Sequence, residues 1–379
     1  MMATLILTCS TGQGHNSCAS AIQEYYENQG EPCEIKDALS FVSPAVSKII
    51  CGGHVAMYRH FSGLFQVGYH YSEKHSRMFE PGSGIYGLLT LGTKKIRDYI
   101  EKGGFQQIIC THVFASLMIT QVQKTYALPI HTCLVATDYT CNPGTRESTV
   151  DLHFIPDTPL SVFYECPSIT EDQIISSGIP VRQMFYEKVP EKQAKLAFGI
   201  PSNHLHLLMM CGSMGCGPMV KLAKNLSKAM SDQMDLTIVC GTNKAVYKDL
   251  SKKYRDQDNI HIQGYVKNMS MLMDSADLYL TKPGGISVTE AATKNLPMVF
   301  IDAVAGCEEY NKIYFIKKHA AKTGKTVKEI TDICIDLLEK PRKLEKMSKN
   351  LQSVAQLNAG EVIYNAMQEL SIQSLSHLA

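Results

Sequence analysis

Thr4-Leu5-Ile6-Leu7-Thr8-Cys9 runs directly into Ser10-Thr11-Gly12-Gln13-Gly14-His15, and a helical pattern follows over residues 16–28. The short apolar run reads as a strand buried on both faces, the glycines as a tight turn, and the periodic segment as the helix that packs back. The same order returns near residue 205. Leu205–Met210 is apolar, Cys211-Gly212-Ser213-Met214-Gly215-Cys216-Gly217 turns the chain, and a helical pattern covers 218–230. Second strand candidates follow each opening, at 33–36 and 236–240. Two strand–turn–helix–strand openings predict two doubly wound α/β domains.

Apolar runs at 107–110, 130–136 and 152–155 add three buried parallel strands to the first half. Runs at 260–263, 278–281 and 298–301 extend the second, with helical patterns at 287–294 and 329–339. A long helical pattern over 342–370 carries Leu344, Met347, Leu351, Val354 and Ala355, and is placed to cross back onto the first domain. The junction falls near 180–195, after Ser177-Gly178-Ile179-Pro180-Val181. Between the second and third strands, 41–86 has a different character. Glycines there interrupt Phe41, Tyr58, Phe61, Phe65, Tyr69, Tyr71, Phe79 and Tyr86.

Composition narrows the function. The 379 residues carry 37 Lys and Arg against 36 Asp and Glu, a net charge of +1, which argues against a dedicated nucleic-acid binder. With 45% apolar and 19% charged residues, the chain can fill sizeable cores. No run approaches the roughly 18 apolar residues of a membrane span, and the start reads as a strand rather than a signal peptide. The 13 cysteines include no C-x-x-C pair, so they read as small core hydrophobes in a reducing compartment. No metal site is predicted.

Four glycine-bearing turns carry chemistry. Gly12-x-Gly14-x-x-Ser17, with Asp37 after the second strand, approaches a dinucleotide fingerprint, but Ser17 stands in its third glycine position. His15 sits where strand hands over to helix, as a general base or as a helix cap. The turn 212–217 has the ingredients of an anion cradle and lacks the Lys-Ser/Thr of a P-loop; the alternative is a plain tight turn. Thr281-Lys282-Pro283-Gly284-Gly285-Ile286-Ser287-Val288-Thr289-Glu290 ends a strand and opens a helix. Glu290 there suits two ribose hydroxyls, or merely the helix dipole. Ala305-Gly306-Cys307-Glu308-Glu309-Tyr310-Asn311 reads as a loop before a helix, with acceptors for sugar hydroxyls or a capping role. In order, one per successive βα connection, the last three would line one nucleotide-sugar pocket.

These motifs together resemble glycosyltransferase family 28 of the GT-B fold, in the branch of monogalactosyldiacylglycerol synthases and processive diacylglycerol glucosyltransferases. The resemblance runs from about 4 to 370. It rests on Gly12 to His15, Thr137-Asp138, Ser177 to Val181, Gly212 to Gly215, the block Lys282 to Met298, and Gly306-x-Glu308-x-x-Asn311. It implies two Rossmann-like domains facing a cleft: 1–185 for the acceptor, membrane-facing, and 186–350 for the donor, with 351–379 packing back toward the first. It implies inverting transfer of a hexose from UDP-glucose or UDP-galactose to a diacylglycerol-type hydroxyl, with no cofactor and no essential metal. The enzyme would sit on the inner face of the cell membrane. His15 matches the base, Asp138 its orienting or acceptor-binding partner, and Gly12, Gly14 and His112 the acceptor-side loops. Donor contacts fall to Gly212, Ser213, Met214 and Gly215, to Gly264, Tyr265 and Val266 at the uracil, and to Pro283, Gly284, Gly285, Ser287 and Glu290 toward the ribose. Glu308 and Asn311 match positions near the sugar. The 41–100 region, with Lys94-Lys95-x-Arg97, would dock on a bilayer.

The chain departs from the family after Thr137-Asp138, where relatives carry a His and a Trp and this chain, with no Trp, has Tyr139-Thr140-Cys141-Asn142-Pro143. Cys307 stands where many relatives have Gln. These departures leave acceptor and donor choice open. They also leave two alternatives of the same architecture, an N-acetylglucosaminyltransferase acting on a polyprenyl-linked precursor and a UDP-sugar 2-epimerase.

Overall fold

The computed structural model describes the chain except for residues 1–2, 11, 46, 50–51, 54–61, 213–214, 216, 302–305, 355–356 and 377–379. It contains two α/β units. One comprises 1–183, 305–307 and 357–379, the other 184–304 and 308–356.

The first unit is built on a six-stranded, wholly parallel sheet: β1 (Ala3–Thr8), β2 (Cys33–Asp37), β3 (Phe105–Cys110), β4 (His131–Val135), β5 (Leu152–Ile155) and β6 (Ile174–Ser176). Their order is β2-β1-β3-β4-β5-β6. Alternation divides the apolar residues between two cores. Leu5, Leu7, Ile108, Cys110 and Leu134 share one core with Ile96, Ile100 and Leu117 of the helices Thr93–Gly103 and Val113–Tyr126. On the other face the helix Gln13–Asn28 packs beside the helix Ala359–Ser376. Fully buried Gln107 ties that second helix to the sheet. Its Oε1 accepts from Tyr26 and Thr4, at 3.1 and 3.3 Å, and its Nε2 donates to the Met367 carbonyl and Ser371 Oγ, at 3.2 and 3.1 Å.

The second unit repeats the plan. Its strands are β7 (Leu205–Met210), β8 (Met234–Val239), β9 (Ile260–Gln263), β10 (Leu278–Thr281), β11 (Met298–Phe300) and β12 (Ala321–Thr323), in the order β12-β11-β10-β7-β8-β9 and all parallel. Each sheet reverses its winding once, between β1 and β3 in the first and between β7 and β10 in the second. Beyond the carboxyl ends of strands at such a switch point, a crevice opens where ligands bind.

Two expectations need correction. The pattern over 342–370 is two helices, Pro341–Leu351 in the second unit and Ala359–Ser376 in the first. Bonds of the i→i−3 type from Gln352 and Val354 unwind the first helix, and Asn358 Oδ1 accepts from Gly360 N to start the next. Ala355 lies outside the described residues. The segment 305–311 is not a loop throughout, because the helix Cys307–Lys317 begins within it. The three-residue edge strands β6 and β12 are too short to show a period of two.

Candidate active site

In the first unit, β1, β3 and β4 are neighbours, so the residues just past their carboxyl ends meet. His15 lies in the first turn of the helix that follows β1. Its Nδ1 is 2.8 Å from the Thr111 carbonyl and 3.1 Å from Thr137 Oγ1. A carbonyl only accepts, so Nδ1 carries the hydrogen and Nε2 holds the basic lone pair. Thr111 Oγ1 donates in return to the His15 backbone carbonyl at 3.2 Å, tying the start of that helix to the loop after β3. Burial holds the His15 pKa below its ordinary value, while the Asp138 charge and the Thr111 carbonyl pull the other way. Asp138 itself is buried, and Thr137 Oγ1 donates to its Oδ2 at 3.4 Å.

His112 stands with its ring edge toward His15, centroids 4.5 Å apart. Its Nδ1 accepts from Phe114 N at 3.0 Å, capping the helix Val113–Tyr126, which leaves the neutral ring's hydrogen on Nε2. Gly12 precedes the His15 helix in extended backbone, and no atom would obstruct a side chain there. Gly14 lies within the helix. Thr111 and the hydroxyl of Thr137 were missed as site residues in the sequence. The one signal was position, since each follows a strand adjacent to β1 or to its neighbour β3.

In the second unit the predicted donor residues gather on a rim of loops at the carboxyl edge. The turn after β7 places Gly212, Gly215 and Gly217 at φ of +71°, +57° and +122°. Glycine is required at 215: a Cβ there would lie 2.3 Å from the Cys240 carbonyl oxygen. Asn243 Nδ2 donates to the Gly215 carbonyl at 3.0 Å while its Oδ1 caps the helix Lys244–Lys253. Ser213 and Met214 lie outside the described residues. A Cβ on Gly217 would come within 3.6 Å of Lys282 Cε, so the turns after β7 and β10 abut at the switch point.

After β10, Pro283 and Gly284 turn the chain into the helix Gly285–Thr293, whose first turn has no side-chain cap. Ser287 and Glu290, one turn apart, are half-buried, and the Ser287 hydroxyl meets Tyr279 Oη at 2.8 Å. Glu308 is buried, with its Oε1 3.8 Å from where a Gly284 Cβ would stand. Asn311 is fully buried, and its Nδ2 donates to the Pro283 carbonyl at 3.0 Å, so it braces the Pro-Gly-Gly turn. At the far end of the rim Gly264 accepts from Gly241 N at 3.2 Å, Val266 is half-buried, and Tyr265 is 70% exposed beyond edge strand β9. Asn243 and Cys240, which shape the glycine turn, were not foreseen.

Among the described residues no group of three or more His, Cys, Asp or Glu is arranged to hold a metal ion.

Residues 15–181 match the family described as monogalactosyldiacylglycerol (MGDG) synthase, and residues 217–354 match glycosyl transferases group 1. The chain is similar to the processive diacylglycerol beta-glucosyltransferase of Bacillus pumilus, 26% identical over 97% of this chain and 94% of that one. It is likewise 26% identical to the enzyme of the same name from Bacillus subtilis, over 95% and 93%. Among solved structures, Acinetobacter baumannii MurG superposes with a TM-score of 0.66 at 14% identity, covering 97% of this chain and 100% of that one. The UDP co-structure of S. aureus MnaA superposes with 0.62 at 12%, covering 97% and 96%. The UDP-GlcNAc 2-epimerase of Neisseria meningitidis also gives 0.62, at 16%, covering 97% and 100%. Fold and family matches define the class, a glycosyltransferase of the GT-B fold. Within that class the chain resembles the monogalactosyldiacylglycerol synthase and processive diacylglycerol glucosyltransferase branch.

Proposed function

We propose that the protein transfers glucose from UDP-glucose to the free hydroxyl of diacylglycerol, with inversion at the anomeric carbon and without an essential metal. The observation that carries this reading is His15, whose Nδ1–H is held by the Thr111 carbonyl so that Nε2 is left as the base. His15 Nε2 takes the acceptor's proton as its oxygen bonds to the anomeric carbon. The bond from that carbon to the diphosphate breaks, and UDP leaves with the electron pair. The uncapped first turn of Gly285–Thr293 suits the charge that grows on the diphosphate. Glu290 binds the ribose, and the segment Gly264-Tyr265-Val266 meets the uracil. Glu308 and Asn311 keep the Pro283-Gly284 turn in shape for the donor. The relatives named above support glucose as the sugar and diacylglycerol as the acceptor; likeness to MurG and to the epimerase speaks for the fold alone.

A lipid acceptor brings the protein to a bilayer. No helix among the described residues is long and apolar enough to cross one. Val67, Tyr71, Leu88 and Leu91 of the first unit are exposed, and Lys74 and Lys94 are exposed near them in sequence. We assign these as the peripheral docking patch for the inner face of the cell membrane. Phe79 and Tyr86, from the same aromatic stretch, belong to the core, and Tyr58 and Phe61 lie outside the described residues.

The test is mass spectrometry of lipids after incubation with diacylglycerol-containing anionic vesicles and a panel of UDP-sugars. A glucosyl-diacylglycerol mass is expected, and a ladder of hexoses if transfer repeats. Altered free UDP-sugar with no lipid product would instead mark an epimerase. His15→Ala is expected to lower turnover by roughly 10²–10⁴.

A further inference from the structure

The Thr137 hydroxyl lies between the ring of His15 and the carboxylate of Asp138. His15 Nδ1–H is shared between the Thr111 carbonyl at 2.8 Å and Thr137 Oγ1 at 3.1 Å. Thr137 Oγ1 in turn donates to Asp138 Oδ2 at 3.4 Å. Thr137 and Asp138 are 4% and 8% exposed, so little water screens the chain of bonds. We propose that Thr137 is a positioning residue, a neutral hydroxyl bridge through which the Asp138 carboxylate stabilises the imidazolium that forms when His15 takes the acceptor's proton.

No proton leaves Nδ1 in this arrangement. Nε2 gains the acceptor's proton, the ring becomes a cation, and the two bonds ending at Asp138 shorten against the new charge. Hydrogen bonds to charged groups are the stronger ones, so the bridge acts more on the transition state than on the resting enzyme. A carboxylate bonded directly to the ring would hold it partly protonated at neutral pH. A hydroxyl in between passes on less of the charge and lets burial keep the ring neutral and ready. The other titratable groups facing this ring are His112, whose Nδ1 is committed to capping its helix, and Cys18, buried one turn on in the His15 helix near Asp138, its thiol pushed up. Neither supplies a counter-charge at neutral pH.

This inference rests on the proposed role of His15 as base, and its test is chosen to stand apart from turnover. The His15 ring is titrated by nitrogen NMR in the full-length protein, its signal assigned by loss in His15→Asn. Thr137→Val keeps the branched shape and removes the hydroxyl. The expected result is a His15 pKa lower by about 0.5 to 1 in Thr137→Val and also in Asp138→Asn. The double variant should fall no further than the larger single effect, because both changes break one connection, and Thr137→Ser should restore the wild-type titration. In lipid-transfer assays kcat should drop roughly ten- to a hundredfold in Thr137→Val with the donor KM unchanged, and the acid limb of the pH profile should move to lower pH. An unchanged titration in Thr137→Val, or fully additive effects in the double variant, overturns the bridge. A wild-type ring that responds as described in a protein that glycosylates no lipid upholds the bridge and overturns the functional reading.

Discussion

His153 lies within β5, Cα-paired with Leu134 on one side and Ile174 on the other, and is 1% exposed. Neither ring nitrogen has a hydrogen-bond partner among the described residues. Burial lowers its pKa to about 4. The sign follows from proton counting. Between pH 6.5 and 4 the unfolded chain binds a proton at this site and the folded chain does not, so stability rises with pH across that window. The contribution is intact above about pH 6.5 and lost as pH falls toward 4. Keeping the folded ring neutral costs ~1.36 kcal/mol for every pH unit below the unfolded chain's pKa, so the loss is about 2 kcal/mol at pH 5 and about 3 kcal/mol at pH 4. Leucine matches the volume roughly and has nothing to satisfy. His153→Leu should therefore gain about 1–3 kcal/mol at pH 7.5, the cost of an unsatisfied buried polar group, and should reduce the first unit's acid sensitivity, leaving the part that buried His15 contributes. Urea unfolding followed by circular dichroism at pH 7.5, 6 and 5 measures it. Hydrogen exchange of peptides from β5 and β8 assigns each transition to a unit. His206, in the second unit and also lowered to about 4 by burial, is an internal control that the substitution leaves in place. A His153→Leu protein less stable than wild type at pH 7.5, or one whose first unit weakens as steeply below pH 6.5, would refute the reasoning.

Gly215→Ala would force a Cβ against the Cys240 carbonyl at a left-handed φ; calorimetric UDP affinity should fall at least tenfold, while the first unit's exchange protection stays unchanged. Glu290→Ala should chiefly raise the donor KM, and an unaltered KM in steady-state assays would remove Glu290 from the ribose site. The Lys294 side chain is 1% exposed, and its Nζ pairs with Asp274 at 2.8 Å and also meets the Glu187 carbonyl. Lys294→Met should cost the second unit about 3–5 kcal/mol in urea unfolding, and adding Asp274→Asn should recover part of that by removing the stranded charge. Gln107→Leu breaks the four bonds that join Thr4, Tyr26 and the C-terminal helix, so exchange protection over 359–376 should drop well before that of β1.

The legibility of this protein in its sequence follows the range of the forces involved. Each long buried strand announces itself by its apolar run, and β5, β7, β9 and β10 begin and end where that run does. The glycine turns are equally plain, because a left-handed backbone at 212, 215 and 217 leaves little choice of residue. What the sequence could not display is which turns become neighbours. Thr111 is an ordinary threonine, and Thr137 only the first half of a Thr-Asp pair, until the order β1-β3-β4 brings both within reach of His15. Asn243 is an ordinary helix cap until β8, lying beside β7, turns its amide toward Gly215. Asn311 carries the opposite lesson. The resemblance places it near the sugar; packing buries it fully, and its amide donates to the Pro283 carbonyl. A polar side chain beside a ligand loop can serve the ligand by holding the loop, and only the three-dimensional neighbour distinguishes the two. The same reasoning covers Asp138. Adjacent to Thr137 in sequence, it could bind acceptor or steer the base, and the hydroxyl standing between it and the ring is the observation on which the proposed second role rests.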